Sequence, residues 1–111
     1  MLDTNLDVEK LKKLQFKIMK DVAASALIPL MRIGDQLGLF QTLSELGPIT
    51  SKRFAEEAKV DERYLREWLY ALSATDFVSY DGEKEEFSLS PEQKAVFADE
   101  EGPANMLGAY E

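Results

Sequence analysis

Pairs of adjoining carboxylates are the pattern in this chain that most resembles a catalytic site. Two neighbouring acids can divide the roles of general acid and general base. They occur at Glu56-Glu57 and at Asp99-Glu100-Glu101. On a turn or an exposed helix face, adjoining acids usually serve solvation, and we favour that interpretation. The chain contains no Cys and no His, so a thiolate nucleophile, an imidazole base and the commonest metal ligand are missing. We therefore predict no catalytic residue and no metal site.

Glycines do not supply a phosphate-binding loop. Gly34 and Gly38 are separated by three residues and fall between predicted helices. Dinucleotide and phosphate loops instead follow a β-strand and open a helix. The sequence therefore predicts no cofactor-binding residue in this chain.

The residues best placed to contact DNA lie in a segment of the wrong charge. Residues 50–77 have the pattern of a helix, a tight turn at Lys59-Val60 and a second helix, and residues 78–89 read as a strand, a turn and a strand. Together they predict a winged helix-turn-helix, the usual architecture of DNA-binding domains. From Asp61 to Glu86, however, eight acids face three basic residues, a net charge of −5. Because phosphates repel such a segment, we predict no nucleic-acid partner.

The second helix of this motif has a clear start and a wide apolar face. Asp61 is the predicted N-cap. The residues expected to be buried are Tyr64, Leu65, Trp68, Leu69 and Leu72. On the outer face, Glu62 with Arg66 and Arg63 with Glu67 are spaced for ion pairs. Arginines engaged in this way are not available to contact bases.

Two helical segments of different character precede the motif. Residues 7–20 carry five Lys, and the chain has a net charge of +2 as far as residue 20. We interpret this face as solvated, with a docking surface for an acidic partner as the alternative. Residues 22–33 are nearly all small or apolar, which predicts a helix buried on most sides and kinked or broken near Ile28 by Pro29. A short chain has little interior, so this burial suggests a surrounding subunit or domain, with an ordinary core helix as the alternative.

The region after the wing begins with a strong helix signal. Ser90-Pro91-Glu92-Gln93 combines a cap, a Pro at the first helical position and a Gln three residues after the cap. Residues 104–110 are expected to begin another apolar helix after a turn at residues 99–103. That helix lacks a termination signal before Glu111, which suggests a truncated chain or a proteolytic fragment.

The composition of the chain limits the classes of protein to which it can belong. A chain of 111 residues with 45% hydrophobic residues can build one domain with its own core. Its net charge of −8 argues against general affinity for nucleic acid or anionic membranes. The sequence shows neither a run of about 18 apolar residues nor a secretory signal, so we expect no membrane contact and a cytoplasmic location.

Four segments together resemble a known family. They are residues 34–40, 47–50, 61–69 and 87–92, and they are similar to the N-terminal winged-helix domain of certain bacterial class I S-adenosylmethionine-dependent methyltransferases. The resemblance runs from about Ala23 to Gly108. Its most specific part is Asp61–Leu69, because a generic winged helix does not require Glu-Arg-Tyr-x-Arg-Glu-Trp on this helix. The resemblance implies N-terminal helices that form a dimer interface and help to roof a substrate pocket. It also implies that S-adenosylmethionine binds to a doubly wound α/β domain beyond Glu111.

These observations lead to one organisation and two functional hypotheses. The fold is predicted to be mainly α with a small β-hairpin wing: residues 1–33 are N-terminal helices for dimerisation and pocket covering, 34–98 the winged helix-turn-helix, and 99–111 the start of a linker helix to a catalytic domain. The first hypothesis is a non-catalytic oligomerisation and substrate-covering module of a small-molecule methyltransferase, homodimeric and partnered by a C-terminal catalytic domain. The alternative is a winged-helix transcription regulator or adaptor that acts through protein contacts.

Three apolar residues on the N-terminal helices are the candidates for touching a substrate under the first hypothesis. They are Phe16, Met19 and Met31. Ordinary core or dimer packing is the favoured alternative for each of them.

Overall fold

Five helices and three short strands make up the described part of the chain, residues 5–106 of the computed structural model. In chain order the elements are α1 Val8–Gln36, α2 Leu39–Leu46, β1 Ile49–Thr50, α3 Ser51–Ala58, α4 Glu62–Ala74, β2 Ser79–Asp81, β3 Glu86–Ser88 and α5 Pro91–Phe97. The strands form one antiparallel sheet in the order β1-β3-β2. The predicted winged helix-turn-helix, mainly α with a small wing, is confirmed.

One apolar core holds the helix-turn-helix and the wing together. Its largest fully buried side chains come from α2, α3, α4, β3 and the loop before β2: Phe40, Leu43, Phe54, Leu69, Leu72, Val78 and Phe87. The ring of Phe40 lies 5.2 Å from that of Trp68 and 5.0 Å from that of Phe97, measured between centroids. Phe40 therefore joins α2 to both α4 and α5. Burial of each such side chain stabilises the fold by about 1.5–3 kcal/mol.

Local signals that were read from the sequence fix the ends of these elements. The Thr50 side chain accepts a hydrogen bond from the amide of Arg53, and Asp61 accepts one from the amide of Tyr64. Ile49 pairs with Phe87 across the sheet. Lys59 closes α3 in the left-handed conformation, with φ 59°. The predicted Asp61 cap and the predicted turn between α3 and α4 are thus confirmed.

The wing is fastened to α5 through Gln93. The Ser90 side chain accepts from the amide of Gln93, and Gln93 Oε1 accepts from the amide of Ser90, which is the predicted capping box. The same Oε1 accepts from Ser79 Oγ at 2.9 Å. Gln93 Nε2 donates to the carbonyl oxygen of Asp76 at 2.9 Å. One side chain therefore ties the start of α5 to the strand β2 and to the turn before it.

The first helix departs from prediction in its continuity. α1 is a single helix of 29 residues, about 43 Å long at 1.5 Å per residue. It passes through Pro29 and ends at Gln36, so a break near Ile28 is excluded and a kink at Pro29 stays a prediction. The helix also crosses the boundary expected at residue 33. Pro29 is exposed, and the carbonyl that loses its helical partner can therefore bind water instead.

The burial predicted for residues 22–33 is provided only in part by the described chain itself. Leu27 is buried, and Leu30 and Met31 pack against the core. In residues 8–26, which we call the α1 arm, every described side chain is exposed except Leu11, which is half-buried. The core is completed by α2 to α5, so the arm extends past it and nothing in the described chain covers its apolar residues.

The segment after α5 does not begin the expected helix. Residues 99–106 form turns and irregular chain, and the amide of Met106 donates to the carbonyl oxygen of Val96 at 2.9 Å. The predicted start of a helix at Ala104 is therefore not observed. Residues 107–111, which the same prediction included, lie outside the described residues.

Candidate functional site

The outer face of α4 is electrically balanced. Arg63 Nε lies 3.8 Å from Glu67 Oε1, and Arg66 Nε lies 3.9 Å from Glu62 Oε2. The predicted pairs are confirmed, but such exposed contacts contribute only about 0.3–0.5 kcal/mol each. Two arginines and two glutamates leave α4 with no net charge. The helix that would enter the major groove of DNA thus has no excess of positive charge.

The wing is acidic at its tip. From Ser79 to Ser88 it carries four acids against Lys84, a net charge of −3. Asp81 Oδ1 accepts from the amides of Glu83 and Lys84 at 3.0 and 3.3 Å, which fixes the turn. A wing of this charge is repelled by a phosphate backbone.

Aromatic packing holds the base of the wing. The ring of Tyr80 lies 4.6 Å from Phe87 and 5.8 Å from Tyr70. Desolvation raises the pKa of the Tyr80 hydroxyl above its usual 10.0, and the hydrogen bond and charge of Tyr70 and the acids Glu85 and Asp81 raise it further. Tyr80 is therefore neutral at physiological pH and adds neither a charge nor an activated oxygen to the surface.

An apolar groove of about 360 Å³ lies between the C-terminal half of α1 and the start of α4. We call it the α1–α4 groove. Its lining residues are Leu30, Ile33, Leu37, Leu39, Val60, Asp61, Tyr64, Leu65, Glu67 and Trp68. Eight of these ten residues are apolar or aromatic, and two are acids. Such a groove can accept an apolar ligand or an apolar helix face, especially one that carries positive charge beside it.

Trp68 forms the floor of this groove and fastens α1 to α4. Its Nε1 donates to the backbone oxygen of Leu30 at 2.8 Å. Its ring is buried and packs on Phe40. Rotation of the indole would break the hydrogen bond and open the core, so the floor is held in one conformation.

Tyr64 lies in the wall of the groove instead of the core. Leu65, Trp68, Leu69 and Leu72 are buried as predicted, but the Tyr64 side chain is 72% exposed. The prediction for Tyr64 is wrong because the core-facing stripe of α4 follows positions 65, 68, 69 and 72, and residue 64 stands at the edge of that stripe. This exposure leaves a large aromatic side chain without cover beside Ile33 and Leu37.

The three residues predicted to line a substrate pocket are not brought together. Phe16 and Met19 are 67% and 71% exposed on the α1 arm. Met31 instead packs against the core, twelve residues and about 18 Å along the helix from Met19. None of the three lines the α1–α4 groove, and contact with a substrate remains a prediction for them.

Sequence reasoning missed the groove itself. The signal was present, because Leu30, Ile33 and Leu37 continue the apolar spacing of the arm beyond Pro29. The expectation of a break at Pro29 divided this pattern into two unrelated halves.

The described residues hold no group of three or more His, Cys, Asp or Glu side chains arranged to bind a metal ion. Among the same residues, no helix is both long and apolar enough to cross a membrane.

Comparison with known proteins agrees with the fold. The family described as the Rv2258c-like winged HTH domain matches residues 23–98. This match covers most of the chain, from the middle of α1 to the end of α5. No curated protein matches the sequence.

Proposed function

The chain belongs to the family of Rv2258c-like winged HTH domains, and we propose that it serves as a non-catalytic oligomerisation and substrate-covering module of an S-adenosylmethionine-dependent small-molecule methyltransferase. In this proposal it forms a homodimer in the cytoplasm. A C-terminal doubly wound domain binds the cofactor and performs the chemistry, so this chain itself needs no catalytic or cofactor-binding residue. The resemblance of residues 61–69 to methyltransferase N-terminal domains supports the identity of that partner.

The observation that carries the proposal is the exposed apolar surface of the α1 arm. Phe16, Met19 and Val22 are each more than 60% exposed. Proteins that work alone rarely leave a contiguous apolar surface in water, because its burial against a partner is favourable by about 25 cal/mol per Å². The arm is therefore best explained as part of an interface or as a cover over an apolar ligand.

Charge supports a role other than DNA binding. The α4 helix is neutral overall and the wing is acidic, whereas DNA binding depends on Lys and Arg that neutralise phosphates. The fold is nevertheless the one that many DNA-binding proteins use. A winged-helix transcription regulator or an adaptor acting through protein contacts is accordingly the second candidate.

DNA binding distinguishes the two candidates. Fluorescence anisotropy with a pool of random duplexes and with the promoter region of its own gene, at about 150 mM salt, is expected to show no saturable binding by the purified chain. Binding with sequence preference would refute the methyltransferase module and establish the regulator.

Light scattering tests the oligomerisation directly. At micromolar concentration the chain is expected to have the mass of a dimer. A strict monomer would remove the dimerisation part of the proposal.

The reading frame after Glu111 tests the predicted catalytic partner. The proposal requires a β-strand followed by Gly-x-Gly-x-Gly within the next several dozen codons. A stop codon directly after Glu111 would instead favour the adaptor.

A further inference from the structure

The walls of the α1–α4 groove are exposed in the described chain. Ile33, Leu37 and Tyr64 line the groove, and their side chains are 44%, 57% and 72% exposed. Ile33 and Leu37 lie at the end of α1, and Tyr64 lies in the first turn of α4. Three large apolar side chains thus meet at one concave surface, and their burial by a ligand is favourable.

The size and the floor of the groove suit a small molecule. Its volume of about 360 Å³ lies within the range of roughly 300–1,000 Å³ that is typical of small-molecule sites. The floor is already in place, because Trp68 is buried, packs on Phe40 and donates to the backbone oxygen of Leu30. A preformed floor lowers the conformational cost of binding. The lining residues all belong to the segment from α1 to α4, so this chain alone can form the site.

The charged residues that line the groove are both acids. They are Asp61 and Glu67, and no Lys or Arg occurs among the described lining residues. Asp61 accepts from the amide of Tyr64 through Oδ1 and takes part in none of the ion pairs formed by the described residues. Glu67 lies 3.8 Å from Arg63, in a pair whose side chains are both exposed. Asp61 is therefore the stronger anchor for a positive charge, and Glu67 the weaker one.

The end of α1 adds negative potential to the groove. Leu37 is both the C-cap of α1 and a lining residue, and the last turn of this helix contains no basic residue. The C-terminus of a helix carries about half a negative charge on its carbonyl oxygens, which favours a cation nearby. The N-terminus of α4 has the opposite sign, but Asp61 caps it with a full negative charge. The helix ends and the carboxylates together favour a cationic group.

Aromatic side chains provide a second kind of contact for a cation. Tyr64 and Trp68 both line the groove and are four residues apart on α4, so they are neighbours on one face of the helix. A protonated amine is attracted to the face of a Tyr or Trp ring within about 6 Å of its centre. Asp61 and Glu67 each lie three residues from Tyr64, so both carboxylates are neighbours of its ring.

We propose that the α1–α4 groove binds a small apolar molecule that carries one protonated amine. The apolar body lies on Trp68 between α1 and α4, and the ammonium group lies beside Asp61 and against the ring of Tyr64. The same charges disfavour a ligand with a carboxylate or a phosphate. This inference goes beyond the proposed function, because the site requires neither a second copy of the chain nor a catalytic domain.

A matched set of three probes tests the class of ligand. Phenylbutylamine supplies the cation, phenylbutanol is its neutral isostere, and phenylpentanoate carries a negative charge on the same aromatic body. The chain has one Trp, so the indole of Trp68 gives a single cross-peak in a proton–nitrogen correlation NMR spectrum and reports on the floor of the groove. We expect phenylbutylamine to shift this cross-peak saturably, with a dissociation constant at least about five-fold below that of phenylbutanol. Phenylpentanoate is expected to bind more weakly than either.

Three results with these probes would overturn the proposal. The absence of a saturable shift with phenylbutylamine would exclude the site and leave the groove to a protein segment. Equal binding of phenylbutylamine and phenylbutanol would exclude a role for the positive charge. Tighter binding of phenylpentanoate would mean that the groove selects the opposite charge.

Replacement of Asp61 tests the anchor while keeping the start of α4, because Asn is also a favoured N-cap. Asp61→Asn is expected to raise the dissociation constant of phenylbutylamine by at least about three-fold and to change that of phenylbutanol by less than about two-fold. Glu56→Gln is the matched control, since Glu56 is exposed on α3 and does not line the groove. It removes the same charge and should change both constants by less than about two-fold. Equal effects of the two substitutions would show that the overall charge of the chain attracts the amine, and would overturn the site.

Replacement of Tyr64 tests the aromatic contact. Tyr64→Leu keeps an apolar wall but removes the ring, and the exposure of this side chain makes a loss of folding unlikely to accompany the change. The expected result is at least about three-fold weaker binding of phenylbutylamine, with phenylbutanol changed by less than about two-fold. An equal loss for both probes would contradict the contact between the ring and the ammonium group.

The mass of the chain in solution separates this inference from the proposed function. A dimer by light scattering in which phenylbutylamine leaves the Trp68 cross-peak unchanged overturns the amine site and leaves the proposed oligomerisation intact. A strict monomer that binds phenylbutylamine as expected supports the site and removes the proposed dimer.

Discussion

At the scale of single residues, Gly34 and Trp68 decide how closely α1 approaches the body of the domain. A Cβ atom on Gly34 would lie 2.5 Å from Trp68 Cζ2 and 2.7 Å from Phe40 Cε2. Four residues earlier on the same helix, the backbone oxygen of Leu30 accepts the hydrogen bond of the Trp68 indole. The absence of a side chain at Gly34 and the hydrogen bond to Leu30 depend on each other. The indole of Trp68 can reach Leu30 only where α1 lies this close to α4. The floor of the α1–α4 groove depends on both.

Replacement of Gly34 by alanine tests this close approach. Alanine is ordinarily favoured over glycine inside a helix by about 1 kcal/mol, yet here we expect Gly34→Ala to destabilise the fold by about 1–2 kcal/mol, because overpacking of a rigid core costs about 1–3 kcal/mol. Urea unfolding followed by circular dichroism measures the change. Gly82→Ala is the control, since its Cβ would meet only Tyr80 Cε2 at 3.8 Å. A more stable Gly34→Ala variant would mean that α1 does not contact Trp68 and Phe40 in this way.

Residues whose role is local were predictable from sequence, and residues whose role depends on distant contacts were not. The caps Thr50, Asp61 and Ser90 follow from residue type and from the amides within three positions. Tyr64 is as apolar as its buried neighbours on α4. It is exposed because the core ends beside it, and where the core ends depends on contacts between distant segments. The spacing of the glycines placed Gly34 between two helices. In the structure its missing side chain leaves room for the indole of Trp68, 34 positions later in the chain.

At the scale of elements, Gln93 links the start of α5, the strand β2 and the turn before that strand. Its side chain bonds with the amide of Ser90, the hydroxyl of Ser79 and the carbonyl of Asp76. The strands of the wing are only three residues long, and short two-stranded hairpins are marginally stable without further packing. We infer that α5 supports the wing as much as the sheet does.

Truncation of Gln93 is therefore expected to loosen the wing. Gln93→Ala removes half of the capping box and two tertiary hydrogen bonds, and we expect a loss of about 1.5–3 kcal/mol in the free energy of unfolding. Faster amide hydrogen exchange in β2 and β3 should accompany the loss. The neighbouring exposed substitution Glu92→Ala keeps all of these bonds and should change stability by less than about 0.5 kcal/mol. Unchanged exchange in the wing of Gln93→Ala would show that the sheet alone holds it.

The helices from α3 to α5 were largely predictable, and α1 was not. Each of these three helices begins at a side-chain cap and has an apolar face that its neighbours bury, so local and tertiary preferences agree. In α1, Pro29 predicted a kink or a break, and the structure has no break, because the position is exposed and water can satisfy the freed carbonyl. The small and apolar residues 22–33 predicted burial on most sides, which the described chain provides at Leu27 and in part at Leu30 and Met31.

At the scale of the whole molecule, the chain is divided between a basic projecting helix and an acidic body. The arm has a net charge of +3 and the rest of the chain −11. Within the arm, Lys17 and Asp21 form an ion pair in which both side chains are exposed. Such a pair contributes little to stability by itself. In the proposed dimer, long-range attraction between the arm of one copy and the acidic body of the other remains, and it acts in the same direction as burial of the exposed apolar residues of the arm.

In the proposed dimer, this division makes the affinity between the two copies depend on salt. Between about 0.05 and 0.5 M NaCl the Debye length shortens from roughly 14 to 4 Å, so we expect the dissociation constant, measured by sedimentation equilibrium, to rise by several-fold. Lys12→Gln should weaken the dimer at low salt and flatten its salt dependence, because it lowers the positive charge of the arm. Lys84→Gln removes the same charge from the acidic wing instead of the arm and should not weaken the dimer. A dissociation constant that falls as salt rises would indicate that like charges face each other across the interface, and the arm of one copy would then have to lie away from the acidic body of the other.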